Sequence, residues 1–409
     1  MLKVVHLQAA TFSAGRAAFK LHTAFLEENI DSGILSLFKE VNDTEEMKNL
    51  KFSATIQAWV DNKMQSYLTR NNHKEFGQYS FPILGNDISG LDQIKDADVI
   101  YIHWVQGGFL NLSDIEKLAR LGKPLIFVMH DMWTITGGCH HSFTCEKYKT
   151  ACNACQMFPD KSMIDWPARE FNKKLRIYSK YNNLYFVSPS KWLYNCAKES
   201  ALTKEKPIYY IPNIINSQQF KPVDKKVVRQ ILGIDENDTV LAFGAVSIES
   251  PYKGWSYLQK ALEKLKETQK NRKISILIFG TGYKKQIADQ IPFKAKFTGF
   301  LKDEFSTALV YNASDIFITP SLADNQPTTV VESLCCGTPV VGFEVGGIPD
   351  MIEHKKNGYL AKYKDADDLA RGIAFCLDNN IKGTLLPAFE KSNIVKMHMD
   401  LLNSITKGN

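Results

Sequence analysis

No apolar run in this 409-residue chain approaches the ~20 residues that a membrane-spanning helix needs. The opening stretch, "MLKVVHLQAATFSAG", has no basic lead-in before a long apolar run and no small-residue cleavage site. It reads as a first strand and not as a signal peptide. Internal repeats and low-complexity tracts are absent. Charge of one sign is scarce: 50 Lys and Arg face 44 Asp and Glu, a formal excess of +6, and residues 1–210 hold 25 and 22 of these, half the excess. So mild and even a balance excludes a charge-driven nucleic-acid binder and suits a weak preference for anionic ligands or surfaces. Cysteine is limited to eight residues, which in a cytosolic chain stay reduced unless a metal holds them. What is plentiful is core. With 44% hydrophobic and 23% charged residues, global disorder is excluded, and the length, about twice that of a typical domain, predicts two domains.

Short apolar runs alternate with helical patterns. "KVVHLQA" precedes "GRAAFKLHTAFLEENI", "DVIYIHW" precedes "LSDIEKLARLG", and "NLYFVSPS" precedes "KWLYNCAKES". Strands apolar on both faces belong to a parallel sheet covered by helices. After the polar, proline-bearing "PNIINSQQFKPVDKK" the winding restarts with "TVLAFGAV", "ISILIFGTG", "DIFITPS" and "TPVVGFEVGG". The fold class predicted is α/β, two doubly wound Rossmann-like domains facing a cleft: one over 1–212, one over 213–385, and a last helix over 386–409 free to pack back across the first. Ligands of such sheets bind beyond the carboxyl ends of the strands.

The richest segment is "SDIFITPSLADNQPTTVVESLCCGTPVVGFEVGGIPDMI", residues 314–352. A strand ends at Thr319–Pro320, a loop carries Asp324, and a helix starts near Pro327–Thr328 with Glu332 one turn in. Proline suits a first helical turn, and the amides of Thr328 and Thr329 together with the helix dipole make a phosphate site. Asp324 and Glu332 then accept hydrogen bonds from hydroxyls on either side of it. An ordinary capped strand–loop–helix would carry the same Pro and Gly; the whole ordered run is the specific signal. No Asp-x-Asp pair accompanies it.

The acid–seven residues–acid spacing of "DNQPTTVVE", followed by "GTPVVG" and "VGGIPD", resembles the donor site of family 4 glycosyltransferases, retaining enzymes of the GT-B fold. "SAGRAAFKLH", "HDMW", "SPSKWL", "KGW", "GTG" and "FTGFL" fall in the family's order. The match is closest to members that build bacterial surface polysaccharides, in which "HDMW…TGGCH" with downstream cysteines also occurs. The resemblance implies a nucleotide-diphosphate sugar donor held by the second domain and a glycan or lipid-linked glycan acceptor met by the first. Glu332 would hold the ribose hydroxyls and Asp324 the hydroxyls of the donor sugar. Lys253, the amides near Thr328 and Thr329, and the backbone at Gly15 would meet the diphosphate, and His130 would face the reacting sugar. Gly280, Gly282, Phe300 and Asn325 complete the implied donor set. The chain departs from the family twice. Its first acid is Asp where Glu is usual, and "GAV" at 244–246 stands where "GR" is frequent, so Arg16, Lys284 or Lys285 would supply the missing cation. Lys253 and helix amides aimed at the leaving diphosphate stabilise its growing charge. Front-face attack by an acceptor hydroxyl, with a leaving phosphate oxygen taking the proton, then requires no dedicated base, no cofactor and no divalent metal at the diphosphate. Non-catalytic sugar-nucleotide-binding scaffolds and nucleotide-sugar epimerases of similar fold are the competing classes.

Two further segments await a role. Arg169, Lys173, Arg176 and Lys180 recur at i, i+4, i+7 and i+11 with Phe171, Leu175 and Tyr178 roughly opposite. They form either a solvated helix face or an acceptor-side patch for anionic lipid, at the inner face of the cytoplasmic membrane. His103, in "YIHWVQGG", is expected to line the same acceptor side. "GGCHHSFTCEKYKTACNAC" places Cys139, Cys145, Cys152 and Cys155 at a spacing that admits a closed, structural zinc site, with free thiols or disulfides as the alternatives.

Overall fold

The structure, a computed structural model, describes residues 1–10, 16–38, 47–70, 77–158, 164–244 and 248–406. The chain forms two compact units, Met1–Ile214 joined by Ile394–Asn409, and Ile215–Asn393. Both are wound from parallel strands and helices, as the alternation of apolar runs and helical patterns predicts.

Unit 1 holds β1 (Lys3–Gln8), β2 (Asp31–Ser36), β3 (Met47–Asn49), β4 (Val99–Ile102), β5 (Leu125–Val128), β6 (Leu184–Ser188) and β7 (Ile208–Tyr210). Their order across the sheet is β3-β2-β1-β4-β5-β6-β7, every pairing parallel. "VIYI" and "LIFV" are buried at every position because helices cover both faces. The helices are α1 (Arg16–Glu27), α2 (Phe52–Leu68), α3 (Asp92–Asp96), α4 (Leu112–Ala119), α5 (Trp166–Lys180) and α6 (Lys191–Glu199). Local chemistry sets their starts. Asn111 and Asp114 form a capping box on α4, and Asp165 caps α5 with Pro167 in its first turn.

Unit 2 holds β8 (Thr239–Gly244), β9 (Ile274–Phe279), β10 (Lys294–Gly299), β11 (Ile316–Thr319), β12 (Val340–Phe343) and β13 (Gly358–Ala361), ordered β10-β9-β8-β11-β12-β13. Its helices are α7 (Lys225–Leu232), α8 (Trp255–Thr268), α9 (Lys285–Ala288), α10 (Glu304–Ala313), α11 (Thr328–Cys335) and α12 (Ala366–Asp378). The last helix, α13 (Lys391–Thr406), buries Ile394, Val395, Leu401, Leu402 and Ile405 in the core that Val4, Leu21, Phe25 and Tyr101 form in unit 1. The crossing back to unit 1 falls at residue 393 and not at 386, because Phe389 is buried in the core of unit 2. Among the described residues no helix is long and apolar enough to cross a membrane.

Candidate active site

In unit 2 the strand order reverses between β8 and β11, the place where open α/β sheets bind ligands. The loops leaving those two strands carry Lys253 and Asp324. A short turn, Pro251–Lys253, leads into α8 through Gly254 at φ 68°. A Cβ on Gly254 would run into the Pro320 carbonyl oxygen, so glycine alone lets "YKGW" lie against the loop after β11. That loop is tied back on both sides. Leu322 N–H donates to the Tyr252 carbonyl at 2.7 Å, and Gly347 N–H donates to the Asp324 carbonyl at 3.2 Å. Lys253 Nζ consequently lies 2.9 Å from Asp324 Oδ2. Burial works against the lysine's charge, but the Asp324 carboxylate outweighs it and holds Lys253 above its ordinary range.

Pro327 precedes α11 and no side chain caps it, so the helix start at Thr328 and Thr329 keeps its amide ends and positive dipole for a ligand. Glu332 is buried one turn in and accepts a hydrogen bond from the Tyr311 hydroxyl at 3.1 Å. Burial, and then the Glu332 charge, push the Tyr311 phenol well above its usual range. Asn325 is buried beside these groups in sequence. Gly280 (φ 86°) closes β9 and donates to the Gly299 carbonyl at 2.8 Å; Gly282 follows it, and Phe300 projects outward, 55% exposed. Of the substitute cations, Lys284 is paired with Glu249 at 2.8 Å, Lys285 opens α9, and Arg16 opens α1 in unit 1. Gly15 and residues 245–247 lie outside the described residues. Two Asp-x-Asp spacings occur away from the motif. Asp98 accepts from the Lys3 amide at the start of β1, and Asp365 caps α12, so neither is built as a metal pair beside Lys253.

In unit 1 the order reverses between β1 and β4, and there a chain of imidazoles begins that the sequence reading misses. His6 Nδ1 lies 3.0 Å from His103 Nε2, and His103 Nδ1 lies 3.1 Å from His130 Nε2. Burial lowers all three, His130 to about 4, so each ring is neutral near pH 7 and carries one proton. The two links must then share one polarity. His6 Nε2 is buried with no hydrogen-bond partner, and a bare lone pair is cheaper to bury than an N–H. That favours protons on Nδ1 of all three rings, with the His130 Nδ1–H as the terminal donor.

The segment after His130 is clamped by a second network. His140 Nδ1 lies 2.6 Å from Asp131 Oδ2, and His140 Nε2 lies 2.8 Å from Ser80 Oγ. The order is that of a Ser-His-Asp triad, but Ser80 and His140 are buried, and the Ser80 carbonyl also accepts from Trp133 Nε1 at 2.9 Å. It serves as a brace. Lys174 lies wholly inside, donating to the Trp133 and Thr136 carbonyls and stacking on the Trp133 ring at 3.7 Å; burial lowers it to about 8. The cysteine loop hangs from this brace. Cys152 Sγ accepts from Gly137 N–H at 3.3 Å, and burial raises Cys139 to about 12 and Cys152 to about 11, the marks of neutral thiols. Among the described residues no three His, Cys, Asp or Glu side chains are grouped to hold a metal ion, and Cys139, Cys145, Cys152 and Cys155 are free cysteines. On α5 the four cations face outward, and the expected apolar side differs only at Leu175. Lys180 and Arg176 reach Glu116 on α4 at 3.2 and 3.7 Å, Arg169 stacks on Trp166 at 5.3 Å, and Leu175 faces outward while Lys174 takes the buried face. Lys173 is half-buried.

Residues 237–379, which hold β8 to β13 and both candidate loops, match the family model described as "Glycosyl transferases group 1". Unit 2 carries a glycosyltransferase group 1 domain. An uncharacterized glycosyltransferase of Methanocaldococcus jannaschii is 24% identical over 80% of this chain and 89% of that protein. A D-inositol 3-phosphate glycosyltransferase of Mycobacterium sp. (strain KMS) is 30% identical over 170 residues, 39% of this chain and only 37% of that protein's length. Among solved structures, Anabaena HepE in complex with UDP and glucose superposes over 100% of both chains with a TM-score of 0.64 at 14% identity. The sucrose-phosphate synthase of Thermosynechococcus elongatus does so with a TM-score of 0.65 at 14% identity. The two parallel-sheet units therefore have the GT-B fold.

Proposed function

We propose that the protein is a retaining glycosyltransferase that moves a sugar from a nucleotide diphosphate to a glycan or lipid-linked acceptor in bacterial surface-polysaccharide assembly. The observation that carries this reading is the Lys253–Asp324 pair at the strand reversal of the group 1 domain, one turn from the uncapped start of α11. The acceptor oxygen bonds to the anomeric carbon on the face from which the diphosphate leaves. The bond from that carbon to the phosphate oxygen breaks, and the acceptor's hydroxyl proton passes to the departing phosphate. Lys253 Nζ and the α11 amides stabilise the charge on the leaving group. Asp324 and Glu332 accept from sugar and ribose hydroxyls. The chemistry asks nothing of a cofactor, and the thiols of the cysteine loop take no part in it.

A thermal-shift panel of UDP- and GDP-sugars on the purified chain, followed by turnover of the best hit, tests this. The UDP donors head the panel because HepE is seen with UDP. One donor is expected to stabilise the protein and to be hydrolysed slowly without acceptor, and Glu332→Ala should lose that stabilisation. Donor binding without turnover, even with lipid-linked acceptors, would favour a non-catalytic scaffold.

A further inference from the structure

Helix α2 is built inside out. Soluble helices bury their apolar stripe, but α2 turns Ala54, Ala58, Asp61 and Gln65 inward. Those inward groups are satisfied by backbone. Asp61 Oδ1 accepts from the Ile83 and Leu84 amides at 2.9 and 2.8 Å, and Gln65 Oε1 accepts from the Phe81 amide at 3.1 Å. The helix also lies hard against the loop after β4. A Cβ on Gly108 would overlap the Ala58 backbone, and Asn62 Nδ2 donates to the Gly107 carbonyl at 3.3 Å. Its large residues are left outside: Phe52 is 78% exposed, Ile56 52%, Trp59 61% and Tyr67 62%. They lie at i, i+4, i+7 and i+15 along a helix of ~25 Å, one stripe in which Lys63, at i+11, falls between Trp59 and Tyr67. Large apolar side chains exposed along one helix face mark an interaction surface.

Its charge says what covers it. Lys63 is exposed within the stripe, Lys51 and Arg70 are exposed at its two ends, and the sole acid between residues 48 and 70 is the buried Asp61. Lys63 sits over the Trp59 ring at 5.7 Å and Arg70 over the Tyr67 ring at 4.2 Å. Aromatic rings flanked by basic side chains, with no exposed acid between residues 48 and 70, fit an anionic lipid surface, where the rings enter the headgroup region and the cations meet phosphate. A symmetric pairing of two copies would set these cations against one another.

We propose that the outer face of α2 seats the protein on an anionic bilayer. This deepens the transferase reading, on which it rests only for the acceptor. The docked face belongs to the helix that covers the loop leaving His103, so a lipid-borne acceptor would be met at the strand ends of unit 1.

The full chain is sedimented with phosphatidylcholine vesicles and with vesicles that also contain phosphatidylglycerol, without donor or acceptor. Co-sedimentation with the anionic vesicles alone is expected. Phe52→Ser/Trp59→Ser/Tyr67→Ser and Lys51→Gln/Lys63→Gln/Arg70→Gln should each weaken it about tenfold or more, with thermal unfolding unchanged because no buried group is altered. Replacing Arg169, Lys173, Arg176 and Lys180 by Gln should leave it in place. Undiminished vesicle binding by the serine variant overturns the proposal. So does a wild-type dimer that this variant dissolves, with no vesicle binding, which would assign the face to a second copy. Because no turnover is read, failure here is separate from failure of Glu332→Ala to lose donor binding.

Discussion

Lys253 Nζ stands 2.9 Å from Asp324 Oδ2, so the cation assigned to the leaving diphosphate is already met by a carboxylate of the same unit. The pair keeps the lysine charged and aimed, and the carboxylate remains to accept from a sugar hydroxyl. Lys253→Ala is expected to lower kcat/KM by about 100-fold or more, the scale seen when one donor to a developing oxyanion is removed. Asp324→Asn should cost about tenfold, and the double variant should cost less than the product of the two because the residues share one interaction. Steady-state kinetics of the three variants decide this; additive losses would show that the two act independently.

His6, His103 and His130 are neutral in the folded chain because burial disfavours their charge. In the unfolded chain each takes up a proton near its ordinary value of about 6.5. Below that pH the unfolded state binds more protons, so stability is complete above it and is lost as pH falls toward the depressed folded values. His6→Phe removes one such group and its unpartnered nitrogen. Urea unfolding between pH 6.5 and 4.5 should show the variant losing less stability than wild type, by up to about 1.4 kcal/mol per pH unit. Parallel slopes would mean that His6 is charged in the native state.

Lys174 gives a slope on the alkaline side. It releases its proton near pH 8 when folded, against about 10.4 when unfolded. Between these values the unfolded state holds more protons, so this group's contribution rises with pH. The buried thiols Cys139 and Cys152 pull the other way, since they ionise more readily in the unfolded chain. The quantity to read is therefore the difference between wild type and Lys174→Met. From pH 8 to 10 wild type should gain on the variant by about 1 kcal/mol per pH unit. No change in that difference would place the ammonium in contact with water.

The fold was legible because parallel strands buried on both faces leave apolar runs such as "VIYI" and "IFIT" that nothing else in the chain imitates. The loops of unit 2 were legible for a similar reason. Gly254 and Gly346 are forced by close backbone approach to Pro320 and Asp324, so the motif records its own geometry. The histidine chain was not. His6 and His103 are 97 residues apart, and only the adjacency of β1 and β4 brings them together. The cysteine segment left its alternatives open because ligand-like spacing says nothing of the side chains' direction. The α2 stripe carries no such record either: Phe52, Ile56, Trp59 and Tyr67 have the period of a buried face, and polar groups hold the inside instead.

Ile394 to Ile405 close the core of unit 1 after all of unit 2 has been threaded. A ribosome therefore delivers every strand of the first sheet long before the helix that covers Phe25 and Tyr101. Unit 2, continuous in sequence, has its whole core in hand by residue 393. The order of synthesis and the order of completion are thus reversed. The emerging chain must carry an uncovered apolar patch on its first domain until its last sixteen-residue helix, α13, leaves the exit tunnel.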